Sequence, residues 1–176
     1  MTKPKVAILM GSDSDLAVMS EAVEVLKEFG IPHSLQVLSA HRSPDLLRAF
    51  VLKAPEEGIK IFIAGAGGAA HLAGAIAAYS TLPVIGVPID SSPLAGFDAL
   101  LATVQMPSGI PVATVAVAKS GARNAGILAV QILSLGNEEL AEKLSKFKKR
   151  LADGVREKDA ALQKTAYSSK ETKQPK

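Results

Sequence analysis

Short apolar runs alternate along this chain with longer stretches whose apolar positions recur at helical spacing. The runs at 6–10, 34–38, 61–64, 84–87 and 112–117 predict five strands. Between and after them, residues 15–29, 44–57, 69–79, 93–104 and 121–135 predict five helices. Such a βαβα rhythm predicts an α/β fold with a parallel sheet, helices on both faces and right-handed crossovers. Boundary residues agree with this phasing. Gly30 and Pro32 stop the first helix. Ser43 stands at an N-cap position with Pro44 and Asp45 in the turn that follows, and Gly58 closes that helix. Gly136 ends the fifth helix, and Asn137, Glu138 and Glu139 open a sixth that is expected to reach about Gln163. Polar residues dominate from about Thr165 onward. The expected organisation is therefore a single domain over residues 1–164, with a flexible polar tail over 165–176.

Two of the predicted helices, 69–79 and 121–135, are apolar nearly all round. A helix of that kind is buried, either between subunits or under deep cover within one subunit; in a domain of this size the first is favoured, so a homo-oligomer is expected. Composition narrows the picture further. At 176 residues and 48% hydrophobic content the chain can build a full core. It has no cysteine, which removes disulfides and thiolate metal sites. The charged N-terminal residues lack the form of a signal peptide, and no apolar run reaches membrane-spanning length, so a cytoplasmic protein without a membrane partner is expected. The basic character is local. Residues 143–176 carry 11 Lys and Arg against 4 Asp and Glu, whereas residues 1–142 carry 9 against 13. With aromatics at only 4% and the basic charge confined to a C-terminal helix and tail, nucleic acid is not an expected partner.

Reactive side chains concentrate in three loops, each following a predicted strand. Such loops gather at the carboxyl ends of the strands in an open parallel sheet, where small ligands bind. The first, Gly11-Ser12-Asp13-Ser14-Asp15, offers hydroxyls and carboxylates at the mouth of a helix, a setting that favours phosphate. Asp15 suits either capping of that helix or binding of a ribose hydroxyl. The loop lacks GxGxxG spacing and a Walker lysine, so it indicates neither a dinucleotide nor a nucleoside triphosphate. The second, Ser39-Ala40-His41-Arg42-Ser43-Pro44, sets an imidazole, which titrates near neutrality, beside a guanidinium fork suited to phosphate or carboxylate. In the third, residues 65–71, three glycines in four residues allow backbone amides to approach a ligand. The loop ends at His71, which suits either a ligand role or a structural bond to a backbone carbonyl. His33 reads as structural. No carboxylate has ligand spacing to His41 and His71, so no metal site is expected, and no GxSxG elbow marks a serine hydrolase.

Taken jointly, GSDSD at 11–15, SAHRSP at 39–44, AGAGGAAHLAG at 64–74, GVPI at 86–89 and VQMPSGIPVATV at 104–115 resemble the N5-carboxyaminoimidazole ribonucleotide mutase family of purine biosynthesis, in its bacterial-type class, over about residues 5–155. The resemblance implies a flavodoxin-like three-layer fold with strand order 2-1-3-4-5 and a homo-octamer with sites at subunit junctions. It also implies an isomerase that moves a carboxyl group within a ribonucleotide substrate and uses no organic cofactor. It gives His41 the acid–base role, and gives Ser12, Asp15 and Arg42 the ribose phosphate, with Ser14 and Ser39 nearby. Gly67 would wall the reacting carboxylate, and His71 matches a recurrent position near the substrate. Ala73 departs from the many members that carry Pro there, which removes a fixed φ just inside the helix. The nearest rival activity is an aminoimidazole ribonucleotide carboxylase using free carbon dioxide. Two further rivals are weaker. A flavin electron carrier is disfavoured by the scarcity of aromatics. A phospho-acceptor receiver lacks its acceptor Asp, because the third strand ends in Ala64-Gly65.

Overall fold

The computed structural model describes residues 3–168. Two compact units divide the chain, the first reaching to Leu133 and the second starting at Ser134. The first unit holds a five-stranded sheet in the order β2-β1-β3-β4-β5, parallel throughout, built from β1 (Val6–Met10), β2 (His33–Val37), β3 (Ile61–Gly67), β4 (Val84–Ile89) and β5 (Ala113–Thr114). Its helices are α1 (Leu16–Glu28), α2 (Pro44–Glu57), α3 (Leu72–Tyr79), α4 (Phe97–Val104) and α5 (Ala118–Ser134), the last ending at the boundary residue. This is the flavodoxin-like arrangement that the resemblance implied.

Pleating sorts the strand residues onto two faces. Ala7, Leu9, Phe62 and Ala64 point to one face, where they form a buried cluster with Leu47, Val51 and Ala54 of α2 and Leu72, Ala73 and Ile76 of α3. On the other face Met19 of α1 lies where a side chain on Gly65 would sit, and Gly126 of α5 packs against Val25 of α1. The central strands β1 and β4 are buried at every position, as expected for parallel strands covered on both sides. Edge strand β2 alternates between half-buried and exposed residues from Leu35 onward.

Three elements differ from the sequence expectation in ways that shape the site. First, β3 runs three residues further than expected, to Gly67, and α3 begins at Leu72 instead of 69 because tight turns close at Gly68–His71, with the Ala70 and His71 amides donating to the Gly68 and Ala69 carbonyls at 2.9 and 2.8 Å. Second, α4 begins at Phe97 instead of 93 because Ala95 and Gly96 take positive φ of 49° and 83°, a conformation that cannot continue a right-handed helix. Third, β5 is only two residues long, paired to β4 through Ala113 and Thr114.

Apolar exposure also falls elsewhere than expected. Helix α5 buries Ala122, Ala125, Ala129 and Val130, while an open apolar stripe lies on α4 and the turn before it, where Leu94, Phe97, Leu101 and Val104 are 62%, 61%, 42% and 49% exposed.

The second unit is dominated by α6 (Glu138–Ser168), which runs five residues past its expected end at Gln163. Asn137 caps it, its side-chain oxygen accepting from the Leu140 amide at 3.1 Å. Glu139–Lys143 and Glu142–Lys146 pairs span single turns. Of the tail expected to be flexible, 165–168 belong to this helix and 169–176 lie outside the described residues. Among the described residues no helix is long and apolar enough to cross a membrane.

Candidate active site

Strand order reverses between β1 and β3, so the loops leaving these two strands diverge to opposite faces and open a crevice above their carboxyl ends. A cavity of about 320 Å³ occupies it. Gly11, Ser12, Ser14 and Asp15 enter it after β1, and Ser39, Ala40, His41 and Arg42 after β2. Ala66, Gly67, Ala69, His71 and Leu72 line it from the end of β3 and the start of α3. Ser12, Ser14, Asp15, Ser39, His41, Arg42, Gly67 and His71, eight residues scattered over sixty positions of sequence, thus reach one space. Ser91, after β4, lines it as well and was not anticipated.

Short bonds hold the first loop. A 3-10 turn spans Asp13–Asp15, capped by the Ser12 hydroxyl, which accepts from the Ser14 amide at 3.4 Å. The Ser14 hydroxyl donates to Asp15 Oδ1 at 3.3 Å, and the Asp15 amide donates to the Ser12 carbonyl at 3.2 Å. Asp15 is 5% exposed, and burial raises its pKa above the ordinary 3.8, against the opposing pull of the Ser14 hydroxyl and, more weakly, the Arg42 charge. Asp15 precedes α1 at the capping position without a side-chain bond to that helix, which leaves its carboxyl directed to the cavity side of the turn.

The second loop is tied to the first. Arg42 Nη2 donates to the Gly11 carbonyl at 2.9 Å, and the Arg42 amide donates to the Ser39 hydroxyl at 3.1 Å. Ser43 occupies the expected N-cap position of α2, but its hydroxyl does not cap. It donates to the Ser39 carbonyl at 3.2 Å and accepts from the Ser39 amide at 3.1 Å, closing the loop on itself. The hydroxyl thus serves the loop instead of the helix, bonding local backbone groups that compete with a cap.

Above this floor the two imidazoles meet. His41 Nε2 and His71 Nδ1 lie 2.8 Å apart, with ring planes at 81°. His71 sits at the N-cap position of α3. A bond of this length needs one N–H and one lone pair, so at least one of the two rings is neutral. Both rings remain exposed in the single chain. His33, by contrast, bonds the Ile31 carbonyl through Nδ1 at 2.9 Å and takes no part.

A larger depression of about 530 Å³ opens at the amino end of β4, lined by Ser80, Thr81, Pro83 and Gly109 among others, but no ionisable side chain lines it. The crevice over β1 and β3, by contrast, brings two imidazoles, a guanidinium and a carboxylate to one space. Among the described residues no group of three or more His, Asp or Glu side chains converges as a metal site.

Fold and cavity together define an α/β enzyme of the switch-point class, with a small-molecule site that pairs a cation and hydroxyls with a titratable imidazole. Residues 5–154 match the family model described as AIR carboxylase, and the chain belongs to that family. It is 52% identical over 165 residues to the N5-carboxyaminoimidazole ribonucleotide mutase of Pyrococcus horikoshii, covering 94% of this chain and 92% of the relative. The mutase of Thermotoga maritima is 51% identical over 93% of this chain and 95% of its own. A crystal structure of Treponema denticola PurE matches with a TM-score of 0.81 at 32% identity, over 90% of this chain and 98% of that one.

Proposed function

We propose that this chain is an isomerase of purine biosynthesis that converts N5-carboxyaminoimidazole ribonucleotide to 4-carboxy-5-aminoimidazole ribonucleotide. The observation that carries the reading is the meeting of His41, Arg42 and the Ser12–Asp15 turn in one switch-point cavity. Its relatives at 51–52% identity bear the mutase name over most of their length.

In this reading Ser12, Asp15 and Arg42 hold the ribose phosphate, with Ser14 and Ser39 nearby. The carbamate N–C bond breaks and releases carbon dioxide, and His41 as imidazolium gives its proton to the departing nitrogen. Carbon 4 of the ring then attacks the trapped gas, a C–C bond forms, and the proton displaced from that carbon returns to His41. Atoms, charge and redox state balance over the two steps, and no cofactor is used. Because Nε2 of His41 is engaged by His71, Nδ1 is the free atom for proton transfer, and His71 holds the ring in position through both protonation states. Gly67 and its neighbours Ala66 and Ala69 form the aliphatic wall that keeps water from the gas.

Residues 1–164 act as one mutase domain, and the protein works in the cytoplasm as a homo-octamer. Two features support assembly: the open stripe Leu94, Phe97, Leu101 and Val104, and the exposure of both imidazoles, which a neighbouring copy covers when the site closes at a subunit junction. The deciding assay supplies N5-carboxyaminoimidazole ribonucleotide at low bicarbonate. Rapid conversion there supports the mutase. Conversion only from aminoimidazole ribonucleotide and bicarbonate would point to the carboxylase instead.

A further inference from the structure

We propose that Ser91 is a substrate-contacting residue of this site, the hydroxyl that holds the migrating carboxyl group. This rests on the mutase reading and adds a residue to it. The cavity is chemically lopsided. Every charged side chain and three of the four hydroxyls enter from the loops after β1 and β2, and Arg42 is tethered there by its bond to the Gly11 carbonyl. From β3 and the start of α3 the lining is Ala66, Gly67, Ala69 and Leu72 beside His71, and the hydroxyl that joins this side is Ser91 Oγ, packed against Gly67. A nucleotide anchored by its phosphate at the charged wall therefore presents its far end, where carbon dioxide is released and recaptured, to Ser91.

The hydroxyl is also placed with some rigidity. It rests on the backbone of Gly67 so closely that any Cβ on Gly67 would overlap Ser91 Oγ. The strands align Gly67 with Ile89, which carries the loop that bears Ser91 up to that point. Ser92 pins the same loop, its hydroxyl accepting from the Leu94 amide at 3.1 Å and its carbonyl from the Ala95 amide at 3.0 Å. A single neutral donor suits a group that is an anion at both ends of the reaction and an uncharged gas between. A cation would hold the starting carboxylate too firmly, and a wholly aliphatic wall would leave the gas unoriented.

The test is the fate of the carboxyl group in Ser91→Ala, supplied with N5-carboxyaminoimidazole ribonucleotide and corrected for spontaneous decay. Ser91 is exposed, and Ala is smaller, so the substitution does not threaten folding. The expected result is a fall in kcat of about tenfold with KM changed less than about threefold, as for loss of an oriented contact at the reacting group. It is accompanied by a rise of at least about threefold in the fraction of turnovers that end as free aminoimidazole ribonucleotide and carbon dioxide. Ser91→Thr, which keeps the hydroxyl, retains the parent's product ratio. A Ser91→Ala variant whose product ratio matches the parent overturns the assignment, whatever its rate. The parent's own conversion is read in the same experiment: if the parent does not isomerise the substrate, the mutase reading fails, whereas an active parent with an unaltered Ser91→Ala ratio removes Ser91 alone.

Discussion

The two walls of the cavity are built from different materials. Over β1 and β2 the lining is side chain: Ser12, Ser14, Asp15, Ser39, His41 and Arg42, cross-braced by the 2.9 Å bond from Arg42 to Gly11. Over β3 it is mostly backbone and methyl groups, with Ala66, Gly67 and Ala69 leading into His71. The contrast teaches how a small site divides its work. Fixed anionic groups call for charge and directed donors, which the guanidinium and hydroxyls of this wall supply. A group that changes charge during the reaction is better met by a close, dry wall with few donors. His41 and His71 stand where the walls meet, each carried by one of them.

Substitutions on the two walls should therefore fail differently. The largest effect is expected from His41→Asn, which keeps a polar side chain but removes the proton carrier. Turnover should fall by about a thousandfold while substrate affinity, read by isothermal titration with the product, is held. Near-normal turnover would break the assignment. Next comes Gly67→Ala on the backbone wall. Its Cβ overlaps Ser91 Oγ and approaches the Ile89 carbonyl, so the wall must shift, and kcat is expected to fall by about a hundredfold with little change in KM. Arg42→Ala on the side-chain wall should reverse that signature, raising KM by about thirtyfold at near-constant kcat, because a phosphate anchor acts alike on ground and transition states. Steady-state kinetics on both variants sharpens or erases the contrast.

Besides weakening the substrate contact that its place in the cavity implies, Asp15→Asn is expected to give a small effect on stability. Burial raises the Asp15 pKa in the folded chain, so folding favours the protonated acid. That contribution is fully present below the ordinary value of 3.8 and is lost as pH rises through the higher folded value, leaving a buried carboxylate as a cost at neutral pH. The variant has no such charge. It should match the parent in acid and exceed it in thermal stability near neutrality; an equal gap at both pH values would show that the charge is not the cause.

Much of the fold was readable in the chain because hydrophobic period is a local property. Strand β1 and helix α2 begin and end where their apolar runs and the Gly58 stop place them. Legibility fails where the neighbour decides. Residues 112–117 have strand composition, yet only Ala113 and Thr114 pair with β4. Residues 93–96 have helical composition, but the turn at Ala95 and Gly96 delays α4. Ser91 carried the same signal as the other site residues, a polar cluster directly after an apolar run in Ile89-Asp90-Ser91-Ser92. Only the tertiary structure brings that cluster to the cavity.

The order of elements, the polar loops after the strands and the residues equipped for phosphate and proton chemistry were set by local composition and spacing, and the sequence alone determined them. Which of those loops share one space was a tertiary decision. It followed from strand order and crossover geometry, since residues thirty positions apart, such as His41 and His71, come within 2.8 Å because the loops after β2 and β3 leave the same end of the sheet and lead into α2 and α3 on one face. The packing of Ser91 on Gly67 was decided in the same way, because a contact between adjacent strands depends on register, and register is a property of the pair and not of either segment.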